Sequence, residues 1–157
     1  MLILMLILKF LHIAVMFTAV AISTGPELIL RGVARSGDVR AIRAGYAIAD
    51  RIGKAIPPAF VIGMILGLLT AWAGGFNFLA PWLLIAYVLF VVAMILGARF
   101  TSPHIAHVAA LAAQSPDEAP SAELATALAD PRARVLFAVE ALIVITFIFD
   151  MVLKPFS

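Results

Sequence analysis

Four long apolar stretches dominate the chain, separated by two longer polar segments and one short turn. They run from about Leu2 to Thr24, Ile56 to Trp72, Pro81 to Gly97 and Val135 to Leu153. A bilayer crossing takes about 20 apolar residues as a helix, so each stretch predicts one crossing, with the second and third drawing a turn from their flanks. Met1–Ile22 lacks the positive leading region of a signal peptide. Its only charge, Lys9, lies inside the apolar run, so the stretch reads as a retained membrane helix. Gly74-Gly75-Phe76-Asn77 predicts a tight hairpin between the second and third crossings. Trp72, Phe76, Phe78 and Trp82 cluster there as an interfacial aromatic belt would.

The polar segments carry helical patterns of their own. Asp38 is placed to cap a helix with Val39, Ile42, Tyr46, Ala49 and Ile52 on one face, opposite Arg40, Arg43 and Asp50. Such a helix is expected to lie on the headgroups, ending where Pro57-Pro58 breaks or kinks it. Ser102 before Pro103 predicts a capped helix through Ala113. Gln114 to Pro120 reads as a turn and Ser121 to Ala129 as another short helix. A faint echo joins Ala47-Ile48-Ala49-Asp50-Arg51 to Ala127-Leu128-Ala129-Asp130-Pro131-Arg132, as two related helix pairs would produce. The expected fold is all-α: one integral membrane domain, an antiparallel four-helix bundle with short amphipathic interfacial helices in the cytoplasmic loops.

Composition agrees with lipid as the solvent. Hydrophobic residues make up 64% of the 157 and charged residues 13%, against about 45–50% and about 25% in soluble domains. Charge placement adds an orientation. Nine of the eleven basic residues fall between Glu27 and Lys54 or between Arg99 and Arg134, so those loops should be cytoplasmic and both termini periplasmic. The absence of cysteine excludes disulfides and thiolate chemistry. No basic tract or zinc-finger spacing points to nucleic acid.

Candidate chemistry is confined to a few polar positions within the crossings, where every charge is costly. These are Lys9, His12, Glu140 and Asp150. On the first helix Lys9, His12, Met16, Ala19, Ser23 and Glu27 share one stripe, which should face the bundle. Lys9 and Asp150 stand at similar depth on antiparallel helices and could pair, as could Asp150 with Lys154 four residues on. His12 has three readings. It could hydrogen-bond a backbone carbonyl, hydroxyl or water and fix packing. It could serve haem- or quinone-linked redox chemistry, with haem b ligated by His12 and Met16 lining the site. Or it could line a proton or solute pathway with Glu140. His104 and His107 are spaced i, i+3, but no third ligand completes a zinc set, so no metal is expected. On the second crossing Ala55, Ala59, Gly63, Gly67 and Ala71 recur every four residues and include a GxxxG. That stripe admits close approach of another helix, whether internal, from an identical chain or from another protein. No P-loop, GxSxG, HExxH or dinucleotide fingerprint occurs, and no nucleophile has a base beside it.

The layout has a resemblance. Lys9-Phe10-Leu11-His12 opens the first helix, and a basic linker ends in Asp50-Arg51 with proline following. Gly67 lies in the second crossing, a tryptophan begins the third, and Met151-Val152-Leu153-Lys154-Pro155 stands near the end. Over almost the whole chain these resemble the bacterial family of predicted integral membrane proteins catalogued as domain of unknown function 2269. The resemblance implies four crossings in a bacterial inner membrane and weight on Lys9, His12 and Lys154, without an activity. The family usually carries glycines soon after the histidine, and Ala14 to Ala21 has none. A looser similarity, through the first-helix histidine alone, reaches copper-resistance membrane domains and the haem-dependent protoporphyrinogen oxidase. The expected function is a non-enzymatic accessory or scaffolding subunit, packed against other membrane helices in an oligomer or complex. A redox role for His12 and a proton-coupled transporter through a His12/Glu140 cavity are the alternatives.

Overall fold

The computed structural model describes residues 1–155. Seven α-helices follow in order: α1 Leu2–Ser36, α2 Val39–Gly53, α3 Ile56–Ala73, α4 Pro81–Leu96, α5 Ser102–Gln114, α6 Ala122–Leu128 and α7 Pro131–Leu153. A π-helical turn, Gly97–Thr101, joins α4 to α5. With their neighbours they build four helical columns of 32 to 35 residues, each long and apolar enough to cross a membrane. The protein is accordingly a multi-pass membrane protein. At a rise of 1.5 Å per residue each column is about 50 Å long, well beyond a hydrocarbon core of about 30 Å. The surplus lies at the end opposite the 74–80 hairpin.

Within the crossings α1 packs along α3 and α4 along α7. The α1–α3 seam is close because α3 supplies glycine where α1 supplies bulk. A Cβ on Gly63 would collide with Met16, one on Gly67 would lie 2.9 Å from His12 Cε1, and one on Gly74 would lie 3.2 Å from Met5 Sδ. The GxxxG is therefore filled from inside the chain by α1. At the hairpin end Ala71, Trp82 and Leu83 are buried together, with Tyr87 and Met151 against them. Trp72 and Phe78 remain exposed there, as members of an aromatic belt, whereas Trp82 is buried and meets Phe76 edge to face.

At the other end the polar segments fold on each other. The first expected crossing does not stop at Thr24, because α1 runs through Pro26 to Ser36. Proline removes one hydrogen bond, yet Leu30 beyond it is buried, which holds the helix in register. Gly37, at φ 71°, ends α1 in the left-handed conformation that glycine takes without strain. Asp38 caps α2, accepting from the amides of Arg40 and Ala41. The apolar face of α2 does not lie on headgroups. Val39, Ile42, Tyr46 and Ala49 are buried, and Leu30, Val108, Ala112 and Leu124 complete a second core with them. The amphipathic helices expected at the interface thus form a cap of packed helices, because burying α2 against α1 and α5 removes the same apolar surface as lipid contact would. Ser102 is no cap either, since Thr101 before it is already helical. The two segments of the echo are placed differently, since Asp50 sits inside α2 and pairs with Lys54, while Asp130 caps α7.

Candidate functional site

The α1 stripe faces inward except at its first member. Ala19 is fully buried, and His12, Met16, Ser23 and Glu27 are half-buried, whereas Lys9 is exposed. His12 Nδ1 lies 2.7 Å from the carbonyl oxygen of Gly63. An accepting carbonyl assigns the proton to Nδ1 and makes the imidazole a donor across the seam. Gly67, one turn further along α3, leaves the room that the ring occupies. Histidine and glycines thus form one device, in which the missing Cβ atoms allow the approach and the hydrogen bond fixes its register. Met16 is pressed against Gly63 in the same seam, so neither of the residues expected to serve a haem stands in an open pocket. A macrocycle between α1 and α3 would require the two helices to part.

Glu140 is not a neighbour of His12. It accepts a hydrogen bond from the Thr101 hydroxyl at the end of the π-helical turn. It also lies close enough to Glu27 for the two charges to repel. One turn along α1, the Arg31 guanidinium stacks 3.9 Å from the ring centroid of Phe137, one turn back on α7. Fifteen residues separate Glu27 from His12, roughly 22 Å of helix. The two groups expected to share a cavity therefore belong to different levels of the bundle. Glu140 joins Glu27, Arg31 and Thr101 in a polar layer where the crossings meet the cap. The fourth apolar stretch put Glu140 within a crossing, but hydropathy along one stretch does not show at which level of the bundle it meets the other helices. Thr101 was not foreseen, since a π-helical turn leaves no clear signal in sequence.

Asp150 stands at the hairpin end of α7 with 1% of its surface exposed, and neither carboxylate oxygen has a hydrogen-bond partner among the described residues. The pairs expected with Lys9 and Lys154 are not formed. Lys154 takes a left-handed conformation at the end of α7, φ 44°, and carries its ammonium over the rings of Phe76, 4.4 Å, and Trp82, 5.2 Å. A cation over an aromatic face keeps its charge partly satisfied, and this contact ties the end of α7 to the hairpin. The Tyr87 hydroxyl is a second buried polar atom without a partner among the described residues.

In the cap, Arg43 is the organising cation. It donates to the carbonyls of Ala112 and Ser115 at 3.0 and 2.8 Å and to Asp117 Oδ1 at 2.9 Å, while Arg40 holds Asp117 Oδ2. These hydrogen bonds, Arg43's first and Arg40's second, lower the Asp117 pKa from its ordinary value. An open groove of about 1,020 Å³ lies between α5 and α6, lined by His104, His107, Leu111, Glu123, Thr126 and Asp130 among others. His104 and His107 share this groove, but no cluster of three or more metal-ligating side chains forms among the described residues. No family model, curated protein or solved structure matches the chain.

Proposed function

We propose that this chain is a non-enzymatic accessory or scaffolding subunit of a membrane assembly, in which four crossings carry a rigid helical cap on the cytoplasmic side. The observation that carries the reading is the cap itself. Two crossing pairs extend about 20 Å past the bilayer to build a second buried core, and that core has an open groove on its surface. Transport or catalysis requires no such extension, whereas presenting a fixed surface above the membrane does. The polar residues of the crossings fit the same reading: His12 and the two glycines serve packing, and Glu140 serves the junction between crossings and cap. Internal use of Gly63 and Gly67 moves the expected partner contacts away from α3, toward the cap and the exposed outer faces of the crossings.

The orientation rests on the basic residues, nine of eleven of which lie in the cap half of the chain. The bacterial inner-membrane setting rests on the resemblance to the 2269 family. Native mass spectrometry of the chain extracted with its surrounding membrane into polymer-bounded discs tests the role. Masses of defined assemblies larger than one chain are expected, and monomer alone would remove the proposal. The competing redox reading of His12 has its own readout, because a Soret band in gently purified protein that disappears in His12→Ala would replace the scaffold reading.

A further inference from the structure

Glu27 and Arg31 are spaced i, i+4 on α1 with the carboxylate on the N-terminal side, the arrangement that favours an ion pair along a helix. Among the described residues that pair is not formed. Arg31 lies instead over the Phe137 ring of α7, 3.9 Å from its centroid. This contact sets α1 beside α7. One turn from it toward the membrane stand Glu27 on α1 and Glu140 on α7, so helix geometry brings the two carboxyl groups to one level. Glu140 already accepts from the Thr101 hydroxyl. From α2 the buried Tyr46 approaches Glu27 closely enough for its hydroxyl to feel the charge. Lys54, further along that column, is held by Asp50. Glu27 lies past the apolar stretch that ends near Thr24, at the level of Thr101. Burial, and after it the Glu140 charge, raise its pKa from the ordinary carboxylate range to about 7, against the opposing pull of Arg31. A neutral Glu27 offers Arg31 no charge and leaves the guanidinium on Phe137. An ionised Glu27 offers one a single turn away and is repelled by Glu140. Drawing Arg31 back along α1 relieves that repulsion at the expense of the contact with α7.

We propose that Glu27 and Arg31 form a proton-controlled latch between α1 and α7, in which Arg31 rests on Phe137 while Glu27 is protonated and turns to Glu27 when the proton leaves. Within the crossings α1 pairs with α3 and α4 with α7, so the α1–α7 contact joins the two helix pairs. Half-buried Glu27 exchanges its proton with water on the cap side. Its ionisation removes a cation–π contact from the joint and adds like-charge repulsion across it. The latch thus makes the joint below the cap responsive to the pH on that side. It is independent of the scaffold role and of which compartment the cap occupies.

Fluorine NMR of the full chain in mild detergent, with para-fluorophenylalanine incorporated in place of Phe137 alone, reads the latch at the ring. The resonance should move with a single midpoint near pH 7. Glu27→Gln, permanently neutral, should hold it at its acid-side position at every pH. Arg31→Gln should also abolish the movement, at a resonance position of its own because the guanidinium is gone. Glu140→Gln should keep the movement and lower its midpoint, since the repulsion that favours the protonated form is removed. A resonance that stays fixed from about pH 5 to about pH 9, well either side of the midpoint, overturns the proposal. Movement that persists unchanged in Glu27→Gln or in Arg31→Gln overturns it as well. Movement abolished by Glu140→Gln would assign the titration to the other carboxyl group, with the same result. Where Glu27→Gln does not fold, Arg31→Gln and Glu140→Gln decide by the same criteria.

Discussion

Gly67 carries no side chain, and the ring of His12 stands where one would be. An added methyl would lie 2.9 Å from His12 Cε1 and 3.1 Å from Nδ1. The imidazole cannot swing away without breaking its bond to Gly63. Gly67→Ala should therefore cost about 1–3 kcal/mol through overpacking, together with part of an interhelical hydrogen bond averaging about 0.6 kcal/mol in membranes. Gly63→Ala meets the thioether of Met16, a side chain with three torsions and no polar partner, and should cost less. Thermal unfolding in mild detergent ranks the two, and a larger loss from Gly63→Ala would show that the histidine contact is not what fixes the seam. Asp150 makes the opposite case. A buried carboxylate without partners destabilises by its desolvation alone, about 1–3 kcal/mol or more. Asp150→Leu, which keeps the number and branching of the side-chain heavy atoms, should raise the midpoint of the same unfolding curve. A lowered midpoint would mean that Asp150 has a partner in the membrane that the chain itself does not supply.

Between elements, the cap depends on a few polar contacts at the ends of its helices. Arg43 satisfies two carbonyls at the C-terminal end of α5, one of them on the buried residue Ser115. Arg43→Ala should cost about 1–2 kcal/mol, while Arg40, 75% exposed in its pair with Asp117, should be removable with no measurable loss. Hydrogen exchange of α5 and α6 amides reports the difference without requiring global unfolding. The same contact sets an acid limit. Because the folded pKa of Asp117 is lowered, its contribution is complete above the unfolded value near 4 and is lost as pH falls through the folded value. Exchange of these amides should accelerate only below about pH 4, and Asp117→Asn should remove the acid sensitivity. Helix ends of this kind were legible in the sequence where the signal was local. Asp38 caps the helix it precedes, because an oxygen two or three residues from an orphan amide acts whatever surrounds it. Signals that depend on a distant partner were not legible. The stripe Ala55, Ala59, Gly63, Gly67 announced a close approach without naming α1. The apolar face of α2 fitted lipid and protein equally well. The apolar run that set the first crossing is a local signal and ends near Thr24, whereas the burial of Leu30 that carries α1 on through Pro26 is tertiary.

Taken whole, the molecule has two ends of different character, and the charge distribution follows that division. The hairpin end holds Trp72, Phe76, Phe78 and Trp82, and the cap end holds most of the arginines. From the hairpin to the cap, α3 spans 18 residues and α4 spans 16, about 27 and 24 Å, close to the hydrocarbon thickness to be crossed. By length, then, α3 and α4 suffice for the crossing, and the cap's core is built from the segments that continue the four columns beyond them. Basic segments resist translocation, so the cap should remain in the cytoplasm and the hairpin should reach the other side. The chain has no cysteine, and single substitutions can report this without further engineering. Asn77→Cys, in the exposed hairpin, should react with a membrane-impermeant maleimide in intact cells. Glu118→Cys, in the exposed α5–α6 connection, should react only after the membrane is opened. Reversed labelling would invert the molecule, placing the cap and its groove outside the cell. Labelling of both sites in intact cells would mean that the one column between them, Pro81–Gln114, does not cross.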